Sequence, residues 1–152
     1  TFLWTTPSGF EVHHVYNQVL ERVSYAELFN RQQLVFSTVT EDLDGKAQYL
    51  AISPNYMHSL DAAHMFMTIS RMLDEGICAF SFVHDSYGTY APDVSLMHKL
   101  LREEFIKIHQ ENQLEKLKKE IEERYGIYLP EVPQREDGFE VEEVFESEYF
   151  FA

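Results

Sequence analysis

The residues best suited to chemistry in this sequence are His84 and Asp85. They follow directly on the apolar run Ile77-Cys78-Ala79-Phe80-Ser81-Phe82-Val83 and precede Ser86-Tyr87-Gly88. An aspartate at a strand-to-turn junction stands exposed at its tip while a packed strand anchors it, which is how a metal-binding carboxylate is held rigidly. Hard oxygen of this kind suits Mg²⁺, which takes one or two protein carboxylates together with phosphate oxygens. A plainer reading stays open beside it. Asp85 can simply accept turn hydrogen bonds, and His84 can be a packed histidine. The stretch His58-Ser59-Leu60-Asp61-Ala62-Ala63-His64 does not read as a zinc site. Six positions turn a helix by roughly 240°, whereas a zinc-binding helical pair is spaced i, i+4. The methionine-rich side of that segment reads as core, and Cys78 as packing inside its apolar run.

The elements that must hold these residues follow from periodicity and punctuation. Residues 4–36 open on a Pro-Ser-Gly turn and continue as strand or helix. Residues 40–48 read as a polar turn or loop. A long helix is predicted over 53–76, with Ser53 as its cap, Pro54 at its first position and Gly76 ending it. Residues 77–91 read as a strand, a tight turn and a second strand, with Gly88 free to supply an unusual backbone angle. Val94, Met97, Leu101, Phe105 and Ile108 step by three or four, as do Leu114, Leu117, Ile121 and Tyr125 before Gly126. This pattern is one long amphipathic helix or a helical hairpin broken near Gln110-Glu111-Asn112. Residues 129–138 read as a connector. The apolar end Tyr149-Phe150-Phe151-Ala152 is expected to dock. The fold class is α+β.

Composition bounds the rest. The chain has 152 residues, 45% of them hydrophobic, with 12 Phe and 9 Tyr. That is enough to bury a core in one domain and too apolar for disorder. No apolar run approaches the ~20 residues that cross a bilayer, so no membrane partner is expected. A single cysteine and an N-terminus unlike a secretory signal point to a reducing, intracellular setting. A start at Thr1 rather than Met points to a processed chain or a piece of something longer. The formal net charge is −14, concentrated in 111–152, where 5 basic residues face 13 acidic ones. Taken alone, this balance opposes nucleic-acid binding, which needs clustered Lys and Arg.

Four stretches nevertheless carry a specific resemblance: WTTPSGF (4–10), PNYMHSLDAAHM (54–65), FVHDSYGT (82–89) and ESEYFFA (146–152). Together they resemble the bacteriophage and mitochondrial single-subunit DNA-directed RNA polymerases over nearly the whole chain. The resemblance implies the C-terminal part of the polymerase right hand. Residues 1–52 would be the end of the fingers and a connection, 53–91 the palm helix and His-Asp hairpin, 92–128 a helical segment, and 129–152 a connector and docking tail. It implies that Asp85 is one of two aspartates holding catalytic Mg²⁺ in a two-metal site. It places His84 by the growing RNA end and His58 against the template–product pair, with Asn55 and Ser59 of the same stretch among the substrate and nucleic-acid contacts. The implied partners are DNA template, RNA product, nucleoside triphosphates and the upstream part of the polymerase.

The second aspartate and the fingers helix of that family belong upstream of Thr1. The chain alone is therefore expected to be inactive, and its acidity to be offset by basic surface elsewhere. The order Lys46-Ala47-Gln48 and Leu50 depart from the family's Lys-Gln and Gly, which weakens the case for Lys46 as a nucleic-acid contact. The implied location is the host cytoplasm for a phage protein, or the mitochondrion. Other readings are a family A DNA polymerase, a stand-alone metal hydrolase and a non-enzymatic interaction module using the acidic helix 111–125. The first would carry Glu where Ser86 stands and Gln-Gly at His58-Ser59. The second needs further acids or histidines beside Asp85.

Overall fold

A computed structural model describes residues 2–26, 32–133 and 140–150. The chain divides into two compact units, one of Thr1–Phe2 and His13–Asn55 and the other of Leu3–Val12 and Tyr56–Ala152. Element order is β1 (Phe2–Thr5), β2 (Glu11–His14), β3 (Asn17–Ala26), β4 (Gln32–Leu43), α1 (Gly45–Asp74), β5 (Phe80–Val83), β6 (Ser86–Thr89), α2 (Val94–His109) and α3 (Gln113–Tyr125), with short 3₁₀ turns at Ala91–Asp93 and Val141–Phe145. The strands form three two-stranded sheets, β1–β2, β3–β4 and β5–β6. Helices and separate hairpins match the α+β expectation.

In the first unit, β3 and β4 pair antiparallel from Asn17↔Leu43 to Ala26↔Gln32, with an irregularity between Asn17 and Val19. Val19, Val23, Tyr25, Val35, Phe36 and Val39 supply the β-branched and aromatic content that favours this extended form. The expected loop at 40–48 is thus replaced by the end of β4 and the start of α1. Helix α1 begins nine residues before Pro54. Asp44 is its physical start signal, because its carboxylate accepts from the Ala47 backbone N–H at 2.9 Å. Pro54 therefore lies inside the helix.

The other boundaries follow the sequence more closely. Gly76 adopts φ +84° just past α1, and Gly126 adopts φ +65° as the left-handed cap of α3. The second helical region is a hairpin of two helices. Asn112 restarts it by accepting from the Leu114 and Glu115 amides. Gly88 is a correction: it lies within β6, and the positive φ belongs to His84, at 55°.

The core of the second unit lies between α1 and α2. Met72, Ile77, Met97, Leu100 and Leu101 are buried together, and Phe80, Phe82 and Tyr87 of the hairpin pack against them. A second cluster of Ile106, Val141 and Val144 holds the C-terminal segment, with Phe105 and Phe150 packed against it. The expected docking is observed for Phe150, whereas Tyr149 is exposed. Phe151 and Ala152 lie outside the described residues. Cys78 is exposed rather than packed, because β5 begins only at Phe80. Among the described residues no helix is long and apolar enough to cross a membrane.

Candidate active-site cleft

β5 and β6 pair with Val83↔Ser86 as their last couple, so His84 and Asp85 alone make the turn. A two-residue hairpin connection demands positive φ at its first central residue, a conformation that glycine takes readily. Here a histidine takes it. Both side chains are exposed at the tip, while Phe80, Phe82 and Tyr87 anchor the strands beneath them.

The turn opens on a cleft of about 600 Å³. His84 and Asp85 line one side, His58 and Asp61 come from α1, and Phe105 and His109 come from α2. His64 and Tyr87 lie deeper in the same cleft. His58, His84 and Asp85, picked out from separate stretches of sequence, are thereby brought together.

Ser59 takes a different place. It is buried, its hydroxyl accepting from the Trp4 indole N–H at 2.9 Å and donating to the Tyr56 carbonyl at 2.7 Å. Tyr56 in turn donates to the Gln113 carbonyl at 2.8 Å, tying α1 to α3. Burial, with a smaller push from Glu120, raises its phenol to about 12. Asn55 belongs to the first unit, where its amide donates to the Tyr16 hydroxyl at 3.0 Å and bonds the His14 ring at 3.3 Å.

Asp61, His64, Tyr87 and His109 were not singled out by the sequence. His64, six positions from His58, does not form a helical metal pair with that residue. Yet it is 5% exposed and bonds the Leu101 carbonyl through Nε2 at 2.8 Å. Burial lowers its pKa against the opposing pull of that carbonyl, Glu104 and Asp61. Burial, then Asp61 and Asp85, push the Tyr87 phenol up to about 12.

The donor set fits a hard divalent cation in part. Asp85 is a solvent-facing carboxylate, able to supply one oxygen ligand of the kind Mg²⁺ accepts. Among the described residues, no group of three or more His, Cys, Asp or Glu side chains is placed to hold a metal ion. A complete cation site would need further ligands beside Asp85.

A family model described as DNA-dependent RNA polymerase matches residues 1–129. DNA-directed RNA polymerase 1A of Nicotiana tabacum is 38% identical over 149 residues, covering 97% of this chain and 93% of that protein. The mitochondrial DNA-directed RNA polymerase 1 of Nicotiana sylvestris is also 38% identical across 97% of this chain, a match that spans 14% of its own length. The same identity and the same 14% hold for the chloroplastic/mitochondrial polymerase 2 of that species.

Proposed function

Because this chain belongs to the DNA-dependent RNA polymerase family, we propose that its cleft forms one wall of a nucleotidyl-transfer site. The observation that carries this reading is the convergence of His84 and Asp85 from the hairpin tip with His58 from α1 on one cleft. In this reading α1 and the β5–β6 hairpin are palm elements. DNA template, RNA and nucleoside triphosphates are the ligands, with the remaining acidic residues contributed by the rest of the polymerase. The mitochondrial and chloroplastic names of relatives favour an organelle over a phage-infected cytoplasm as the place of action.

In the reaction, the RNA 3′-hydroxyl oxygen forms a bond to the α-phosphorus of a triphosphate. The bond to pyrophosphate breaks and the hydroxyl proton is lost. Bound Mg²⁺ would lower the pKa of that hydroxyl and neutralise charge on the leaving pyrophosphate. Asp85 supplies this chain's carboxylate for the cation, held at fixed height by the packed strands. His84, exposed beside it, orients the RNA 3′ end. His58, on the facing helix, contacts the template–product pair. In this reading the second metal-binding aspartate comes from the upstream part of the polymerase, so the isolated chain is expected to make no RNA.

The test is primer extension by a polymerase reconstituted from this chain and the upstream part. Asp85→Asn is expected to lower the rate roughly a thousandfold or more, since losing a metal ligand forfeits about 4 kcal/mol of transition-state stabilisation. Template affinity should change little, because it rests on phosphate contacts elsewhere. Near-normal extension would reduce Asp85 to a turn residue.

A further inference from the structure

His64 is a buried polar group where an apolar one would pack more simply. Its neighbours along the inner face of α1 are Leu60, Ala63, Thr68 and Met72. Its ring stands edge-on to Phe105 at 5.7 Å and to Tyr87 at 6.1 Å. Nε2 lies 2.8 Å from the Leu101 carbonyl on α2, and Nδ1 lies 3.4 Å from the Tyr87 hydroxyl on β6. A carbonyl only accepts, so Nε2 carries the proton. In a neutral ring Nδ1 is then a lone pair facing Tyr87, which donates. The lowered pKa of the buried ring agrees with the neutral form. Tyr87 is two residues beyond Asp85, on the strand that leaves the turn.

We propose that His64 is a positioning residue for the Asp85 turn, joining β6 through Tyr87 to α2 through Leu101 and so fixing where the carboxylate stands in the cleft. This rests on reading Asp85 as the cation-binding carboxylate of a polymerase. His64 does not itself touch substrate or metal. It acts by holding three elements in one register, because an imidazole bonded at both nitrogens specifies orientation where a leucine would specify only volume. Removing the Tyr87 hydroxyl should loosen the turn while leaving the ring packed on Phe82, whose centroid is 5.0 Å away.

Two independent measurements test this. In the 152-residue chain, long-range ¹H–¹⁵N spectra should show His64 as the Nε2–H tautomer. An Nδ1–H or averaged tautomer overturns the proposal. In the reconstituted polymerase, Tyr87→Phe and His64→Phe should each raise the Mg²⁺ concentration for half-maximal primer extension roughly two- to tenfold, the range of one hydrogen bond. The double variant should be no worse than the worse single one, since the pair acts as a unit. Tyr87→Phe leaves the aromatic core intact and guards against a variant that merely fails to fold. An unmoved Mg²⁺ midpoint in Tyr87→Phe overturns the proposal. Asp85→Asn run alongside separates the two readings. Lost extension there with an unmoved midpoint in Tyr87→Phe sinks only the role of His64, and intact extension in Asp85→Asn sinks both.

Discussion

His84 occupies a backbone position that glycine would take with no strain. At φ 55° a residue bearing a Cβ is destabilised by about 1–3 kcal/mol, and such conformations persist where the side chain has a task. His84→Gly isolates that trade. The hairpin is expected to be as stable as wild type or up to about 1 kcal/mol more stable, because relief of strain outweighs the extra unfolded-state entropy of glycine. Primer extension by the reconstituted enzyme should fall. Urea unfolding and extension rates measured on the same protein check both halves, and a variant that loses stability with activity unchanged would contradict them. At this scale the sequence exposed the tip and hid the support. His84 and Asp85 stand out as polar residues at the end of an apolar run. His64 does not, because its importance comes from a carbonyl on α2 and a hydroxyl on β6, both remote in sequence.

Helix α1 shows how a local signal misleads about an element. Ser53-Pro54 has the chemistry of a helix start, yet the helix runs through it from Gly45. Proline lacks the N–H that would reach the Leu50 carbonyl, and its ring crowds that carbonyl, but the flanking turns are already formed. Asp44 caps the true start inside a stretch so polar that it reads as a loop. The division between the two units falls directly after this interruption, between Asn55 and Tyr56. Pro54→Ala restores the missing donor. Amide hydrogen exchange across 50–55 is expected to slow about tenfold or more, given the roughly 3 kcal/mol disadvantage of an internal proline. Unchanged exchange would mean that the turn was already closed. The β5–β6 hairpin and the helical character of 94–125 were legible from periodicity and the Gly126 stop. The choice between one long helix and a hairpin stayed open in the sequence and is settled by the Asn112 side chain, which caps a new helix at the Leu114 and Glu115 amides.

Over the whole molecule, the C-terminal segment reaches the cleft wall through α2. Arg102 is 9% exposed and donates to the Phe145 carbonyl at 2.6 Å and to the Ser147 carbonyl. His98, one turn earlier, donates through Nε2 to the Phe150 carbonyl at 2.9 Å. The Phe150 ring then meets Phe105 at 4.9 Å, and Phe105 lines the cleft that holds His84 and Asp85. The aromatic end signalled docking, but its partner, a guanidinium forked over two backbone carbonyls, has no sequence signature. This buried guanidinium gives up water for two backbone carbonyls, the His98 ring nitrogen at 3.3 Å and the face of Phe150 at 6.0 Å, with no carboxylate among these contacts. Among the described residues its Nε has no hydrogen-bond partner. It is therefore a clamp specific to this one arrangement of the segment. Arg102→Met keeps the length of the stem and deletes both donors. The segment 140–150 should then open more often, and cleavage by a glutamate-specific protease at Glu140–Glu148 is expected to accelerate about tenfold or more, following the larger open population. Arg102→Lys, which retains the charge but not the fork, should fall between the two. Cleavage at the wild-type rate in Arg102→Met would show that Val141, Val144 and Phe150 hold the segment by apolar contact alone.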